Sequence, residues 1–182
     1  QATTPVTPSS SGAQGEPATN ISQPQIVDAA ALNGSALSVA VGQTMLIDAS
    51  STSIISLSGD FVNNGAIYAY SSNPAVSAVT VSAANIVNSQ NALISTLIPA
   101  SLLAGLPSSN INQSLGLQLI ASGSILNSGS IISAGNLSLV AGGDIVNSLP
   151  TGAGGSAALM QALGSINIVS LAGQLTNSGT IC

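Results

Sequence analysis

One asparagine recurs in the same local frame along this chain. It is Asn63 in GDFVNNG, Asn88 in ANIVNSQ, Asn127 in GSILNSG, Asn147 in GDIVNSL and Asn177 in GQLTNSG, with a weaker copy at Asn33 in ALNGSAL. The intervals are 63 − 33 = 30, 88 − 63 = 25, 127 − 88 = 39, 147 − 127 = 20 and 177 − 147 = 30. The interval of 39 is near two periods of 20. A basic period near 20 residues with insertions is the signature of a solenoid, in which each coil of chain stacks on the one before.

The stretches between the asparagines alternate apolar and small residues, as in SALSVAV, TMLIDAS, SAVTVSA, LGLQLIAS and SINIVSLAG. That is a strand period of two, not a helical one. An all-β parallel coil with about 20 residues per rung follows. In the coil spanning Asn136 to Ser148, the pattern turns Leu137, Leu139 and Ile145 inward, with Gly142 and Gly143 allowing the bend through positive φ. A corner residue in such a coil lies about 4.8 Å from its counterpart one rung away. Stacked asparagines can then bond amide to amide, and asparagine tolerates the left-handed backbone of tight corners.

Stacking also accounts for the composition. Charged residues are 3% of the 182-residue chain, against roughly 25% in an average domain. Like charges stacked at a rung spacing repel, whereas Asn, Ser and Thr do not. There is no Lys, Arg or His, and the five acids are Glu16, Asp28, Asp48, Asp60 and Asp144. Nucleic acid is excluded as a partner, because no cation can replace phosphate counterions. An anionic membrane surface is excluded for the same reason. The most apolar run, residues 91 to 106, is broken by Ser, Thr and Pro, so the chain is not expected to span a membrane.

The same deficit argues against an enzyme. No serine has a basic neighbour to activate it. Asp60 and Asp144 share a repeat position but lie 144 − 60 = 84 residues apart. That is roughly four rungs, or about 19 Å, too far for a catalytic pair. They read as solvated corner residues, with a weak Ca²⁺ contact as the alternative. No catalytic, cofactor-binding or metal-binding residue is assigned, and no cofactor is expected.

Residues 1–24 are rich in Ser, Thr and Pro and read as an extended arm, with the solenoid domain at 25–182. Insertions are placed at about 95–114 and 149–164. Each is expected to hold a short helix. Pro99 suits a first helical position in IPASLLAGLP, and Ser156 and Gly164 flank AALMQAL as caps. Tyr68 and Tyr70 share one strand face, as an exposed aromatic pair or a contact patch for sugars or subunits. The lone Cys182 is a buried or terminal thiol, with an intermolecular crosslink as the alternative. The start at Gln1 without Met suits a processed, exported protein or a boundary within a longer one.

The segment LGLQLIASGSILNSGSIISAGNLSLVAGGDIVNS resembles the haemagglutinin-type repeats of filamentous-haemagglutinin-like exoproteins, the secreted partners of two-partner secretion systems. The likeness is clear over about 115–182, fair over 30–90, and does not reach the arm. It implies a right-handed parallel β-helix, exported by a bacterium to the cell surface or beyond, for adhesion, fibre formation or a biofilm matrix. Such exoproteins are much longer and carry an N-terminal secretion domain, which is not recognised in these residues. A subunit that reaches length by polymerising fits better: a structural protein associating head to tail through its solenoid ends and its arm. An adhesin or carbohydrate-binding fragment of a larger exoprotein, meeting glycans or a neighbouring cell surface, is the alternative.

Overall fold

The computed structural model describes residues 24–182, so the expected arm lies outside the described residues except for Pro24. From Gln25 onward the chain winds as a parallel β-helix. Its first coils are built from β1 (Gln25–Asp28), β2 (Leu37–Val39), β3 (Thr44–Asp48), β4 (Ile54–Ser56), β5 (Phe61–Asn63) and β6 (Ala66–Tyr70). Then come β7 (Ala78–Ala83), β8 (Ile86–Asn88), β9 (Leu93–Ser95), β10 (Gly116–Ala121), β11 (Ile125–Asn127) and β12 (Ser130–Ser133). The last coils hold β13 (Leu137–Ala141), β14 (Ile145–Asn147), β15 (Leu159–Ala162), β16 (Ile166–Ser170), β17 (Leu175–Asn177) and β18 (Thr180–Ile181).

These strands form three parallel sheets. Sheet 1 runs β1-β3-β6-β9-β12-β15-β18, sheet 2 runs β4-β7-β10-β13-β16 and sheet 3 runs β2-β5-β8-β11-β14-β17. Each full coil visits sheet 2, then sheet 3, then sheet 1. Parallel neighbours need a long crossover, and here the other two sides of the coil serve as that crossover.

Alternation points every second residue inward, and the inward residues stack in columns. Phe61, Ile86, Ile125 and Ile145 form one column in sheet 3. Val81, Leu119 and Leu139 form one in sheet 2, and Ile67, Ile94, Ile131 and Met160 one in sheet 1. All of these are at most 4% exposed. Branched aliphatics suit a pleated wall facing a narrow interior. Each contributes about 1.5–3 kcal/mol by leaving water. Leu137, Leu139 and Ile145 lie inward, as the alternation requires.

One spacing and one element differ from what the sequence predicts. Asn88 pairs directly with Asn127, so the interval of 127 − 88 = 39 is one rung with a projecting loop and not two rungs. That loop carries α1 (Ala100–Leu103), whose N-cap is Pro99 itself. Leu102, Leu103, Leu106 and Ile111 pack it against Leu46, Tyr70 and Ile98, on the outside of sheet 1. The second expected helix, in AALMQAL, does not form. Leu159–Ala162 is β15, paired with β12 and β18, with Met160 fully buried. The open edge of β12 supplies a ladder of backbone hydrogen bonds and a core position for Met160. Local helix propensity, worth a few tenths of a kcal/mol per residue, does not compete with these.

At the other end, residues Ala29–Leu32 form a 3₁₀ turn, capped by the Asp28 carboxylate accepting from the Ala30 N–H at 2.8 Å. With the bridge from Gly34 to Leu57, this turn stands where a further strand of sheet 2 would lie. Among the described residues, sheet 1 therefore begins one strand ahead of sheet 3. No helix among the described residues is long and apolar enough to cross a membrane.

Leu139 is fully buried, whereas Leu163 is 62% exposed. Leu139→Ala should lower stability by about 2–5 kcal/mol through the cavity it leaves. Leu163→Ala should change it by less than about 0.5 kcal/mol. Guanidinium unfolding midpoints compare the two.

Candidate functional site

The repeated asparagines lie at the ends of β5, β8, β11, β14 and β17, in direct register. Each points into the coil at the corner between sheet 3 and sheet 1. Asn63 Nδ2 donates to Asn88 Oδ1 at 2.9 Å, Asn88 Nδ2 to Asn127 Oδ1 at 2.8 Å, and Asn127 Nδ2 to Asn147 Oδ1 at 2.7 Å. Asn147 Nδ2 continues to Asn177 Oδ1 at 2.7 Å. The same amides also donate to a sheet 1 carbonyl of the following rung: Leu93, Ser130, Leu159 and Thr180 in turn. Asn63, Asn88, Asn127 and Asn147 are at most 1% exposed, so these bonds form away from water. Asn177 is exposed.

Asn33 is not in this ladder. Val39, not Asn33, pairs with Asn63. Asn33 instead ends the 3₁₀ turn, where its Oδ1 accepts from the Ser56 N–H and its Nδ2 donates to the Ala30 carbonyl. Ala31 and Leu32 before Asn33 belong to the 3₁₀ turn, where the ladder copies carry a strand pair.

The backbone reason for the repeat also differs from expectation. Among the described residues, positive φ is confined to Asn91, Gly42, Gly152 and Gly155. Neither the ladder asparagines nor Gly142 and Gly143 need it. The glycine two places after Asn63, Asn127 and Asn177 serves close approach instead. Those corners have only two residues, and a Cβ on Gly65 or Gly129 would press into carbonyl oxygens of the neighbouring rung. Longer corners follow Asn88 and Asn147, and there the glycine is absent.

A second polar column runs three residues before the ladder. Asp60 Oδ1 accepts from the Asn85 backbone and side-chain amides, Asn85 Oδ1 from the Ser124 N–H, and Asp144 Oδ1 from the Gln174 N–H. Asp60 and Asp144 are therefore corner acceptors. They are three rungs apart, not four, because the 39-residue coil is a single rung. Their separation along the coil is about 14 Å. No group of three or more His, Cys, Asp or Glu side chains converges among the described residues.

Tyr68 and Tyr70 share the outer face of sheet 1, but they are not an exposed pair. Tyr68 is half-buried and Tyr70 is 1% exposed beneath the α1 loop. The Tyr70 hydroxyl approaches the Asp48 carboxylate without meeting hydrogen-bond geometry, and it has no partner. Burial first, then the negative charges of Asp48 and Asp28, push its pKa up to about 12. The loop that covers Tyr70 is remote in sequence, so alternation alone could not reveal it. The Cys182 thiol is free and exposed, while its backbone pairs with Met160 and Ala162 of β15.

A groove of about 590 Å³ follows the corner between sheets 1 and 2. Ser77, Gln113, Ser114 and Asn136 give it hydroxyl and amide groups without a charge. Comparison with protein-family models, curated proteins and solved structures finds no match to this chain.

Asn127→Ala should cost about 3 kcal/mol, because it orphans the Asn88 amide and the Leu159 carbonyl inside the coil. Asn33→Ala should cost about 1 kcal/mol or less, since water reaches that site. Chemical denaturation of the two variants checks the difference.

Tyr70 holds its proton more tightly folded than unfolded, where a tyrosine titrates at about 10. Its contribution is therefore intact below about pH 10 and lost as pH rises towards about 12. Melting temperature should fall across that window, and Tyr70→Phe should flatten the fall. An equal fall in Tyr70→Phe would remove this assignment.

Proposed function

We propose that this chain is a secreted bacterial structural protein, a right-handed β-solenoid subunit that associates end to end into extracellular filaments or a surface matrix. The observation that carries this reading is the in-register stack itself. From β5 to β14 each rung offers the next its strand edges and a directed asparagine donor. Such an edge is a template for another chain, and a repeated head-to-tail contact builds an open filament.

We assign the junction to the solenoid ends and to the N-terminal arm, residues 1–24, as the contacting parts. The near absence of charge favours the same reading, since close stacking of identical chains brings no like charges together at the ladder.

A second reading rests on the uncharged groove at the corner of sheets 1 and 2, whose hydroxyls and amides suit sugar hydroxyls. It makes the chain an adhesin or carbohydrate-binding part of a larger exoprotein.

Electron microscopy of the native secreted material separates the two. Filaments with an axial repeat that is a multiple of about 4.8 Å are expected, and removal of residues 1–24 should abolish them. Single short rods at high protein concentration would reject the filament reading and direct attention to glycan binding at the groove.

A further inference from the structure

Asp28, Asp48 and Tyr70 occupy one column on sheet 1, in consecutive strands. The residues before the last two, Ile47 and Ala69, face the core, so the column faces outward. Two carboxylates thus stand one rung apart, about 4.8 Å along the coil. Elsewhere the chain avoids this arrangement: Asn85 and Ser124 separate Asp60 from Asp144 in their column. No Lys, Arg or His exists to neutralise the stacked pair.

The second observation is independent of the acids. Tyr70 is 1% exposed, and its hydroxyl is the buried side-chain oxygen left without a partner among the described residues. Strand pairing sets Tyr70 directly beside Asp48, and its hydroxyl approaches the Asp48 carboxylate. A buried, unpartnered hydroxyl is costly unless something else completes its coordination. The Ser51 hydroxyl donates to both Asp28 carboxylate oxygens, at 2.8 and 3.1 Å, which holds a further oxygen beside them.

We infer that Asp28, Asp48 and the Tyr70 hydroxyl form a Ca²⁺ site that ties β1 to β3 at the first rungs of the coil. The donors are all oxygens, which selects a hard cation over transition metals. Two carboxylates and neutral hydroxyls in an irregular array, open to water on the exposed Asp28 side, match the flexible six- to eight-fold coordination of Ca²⁺. Mg²⁺ demands a stricter octahedron. An ion here neutralises the stacked charges and fastens the 3₁₀ turn, which Asp28 caps.

Terbium luminescence excited through tyrosine tests the site on the whole chain, because Tyr70 is a ligand and Tyr68 the other tyrosine. Tb³⁺ emission should saturate at one ion per chain, and Ca²⁺ should displace it at much lower concentration than Mg²⁺. Asp48→Asn should weaken binding about tenfold or more. Asp144→Asn should leave it unchanged, and Tyr70→Phe should remove most of the sensitised emission. Ca²⁺ should also raise the melting temperature of the wild type beyond NaCl at equal ionic strength. Without Ca²⁺, Asp48→Asn should melt no lower than the wild type, which separates lost binding from lost folding. Unchanged binding in Asp48→Asn, or a Ca²⁺ shift no larger than that of NaCl, would overturn the assignment.

Discussion

A buried amide-to-amide hydrogen bond sets the register of this molecule. Each inner asparagine uses both amide protons on the following rung and offers its oxygen to the preceding one. A slip of one residue would turn the asparagine outward and leave its partners unsatisfied in a dry interior. Aliphatic columns alone would tolerate a slip of two residues more readily, because it keeps the same face inward and Ile, Val and Leu are near equivalents. The ladder therefore supplies specificity, and the stacked aliphatics supply most of the burial.

Glycine follows from the same geometry. When the corner after the asparagine has two residues, adjacent rungs approach too closely for a Cβ, as at Gly65 and Gly129. When the corner is lengthened, as after Asn88 and Asn147, the restriction lifts. The motif thus combines a hydrogen-bond requirement with a steric one. The corner column of Asp60, Asn85 and Asp144 repeats the principle at lower stringency, since water competes for those exposed acceptors.

Most of the coil was legible from residue order. Alternation located the walls, and the recurrence of asparagine located five of the ladder positions. Asn33 matched in composition but lacked the preceding strand pair, and the structure places Val39 in its stead. The stretch AALMQAL is a good helix in isolation, yet it completes sheet 1 because the edge of β12 is available to it. Tyr70 looked like half of an exposed pair, and it is buried because a loop from beyond β9 folds back over it.

By itself, the sequence determined the fold class, the inward residues and the lack of cationic side chains, because period, composition and charge are local properties. The tertiary structure decided which repeats are adjacent rungs, how much chain each rung carries and what covers the outer face of sheet 1. Those outcomes depend on which strand edge is free to pair and which surface is free to pack, and neither is defined until the rest of the coil has formed. The Asp28, Asp48 and Tyr70 column belongs to this second class. Its members are 48 − 28 = 20 and 70 − 48 = 22 residues apart, and only the pairing of β1, β3 and β6 brings them together.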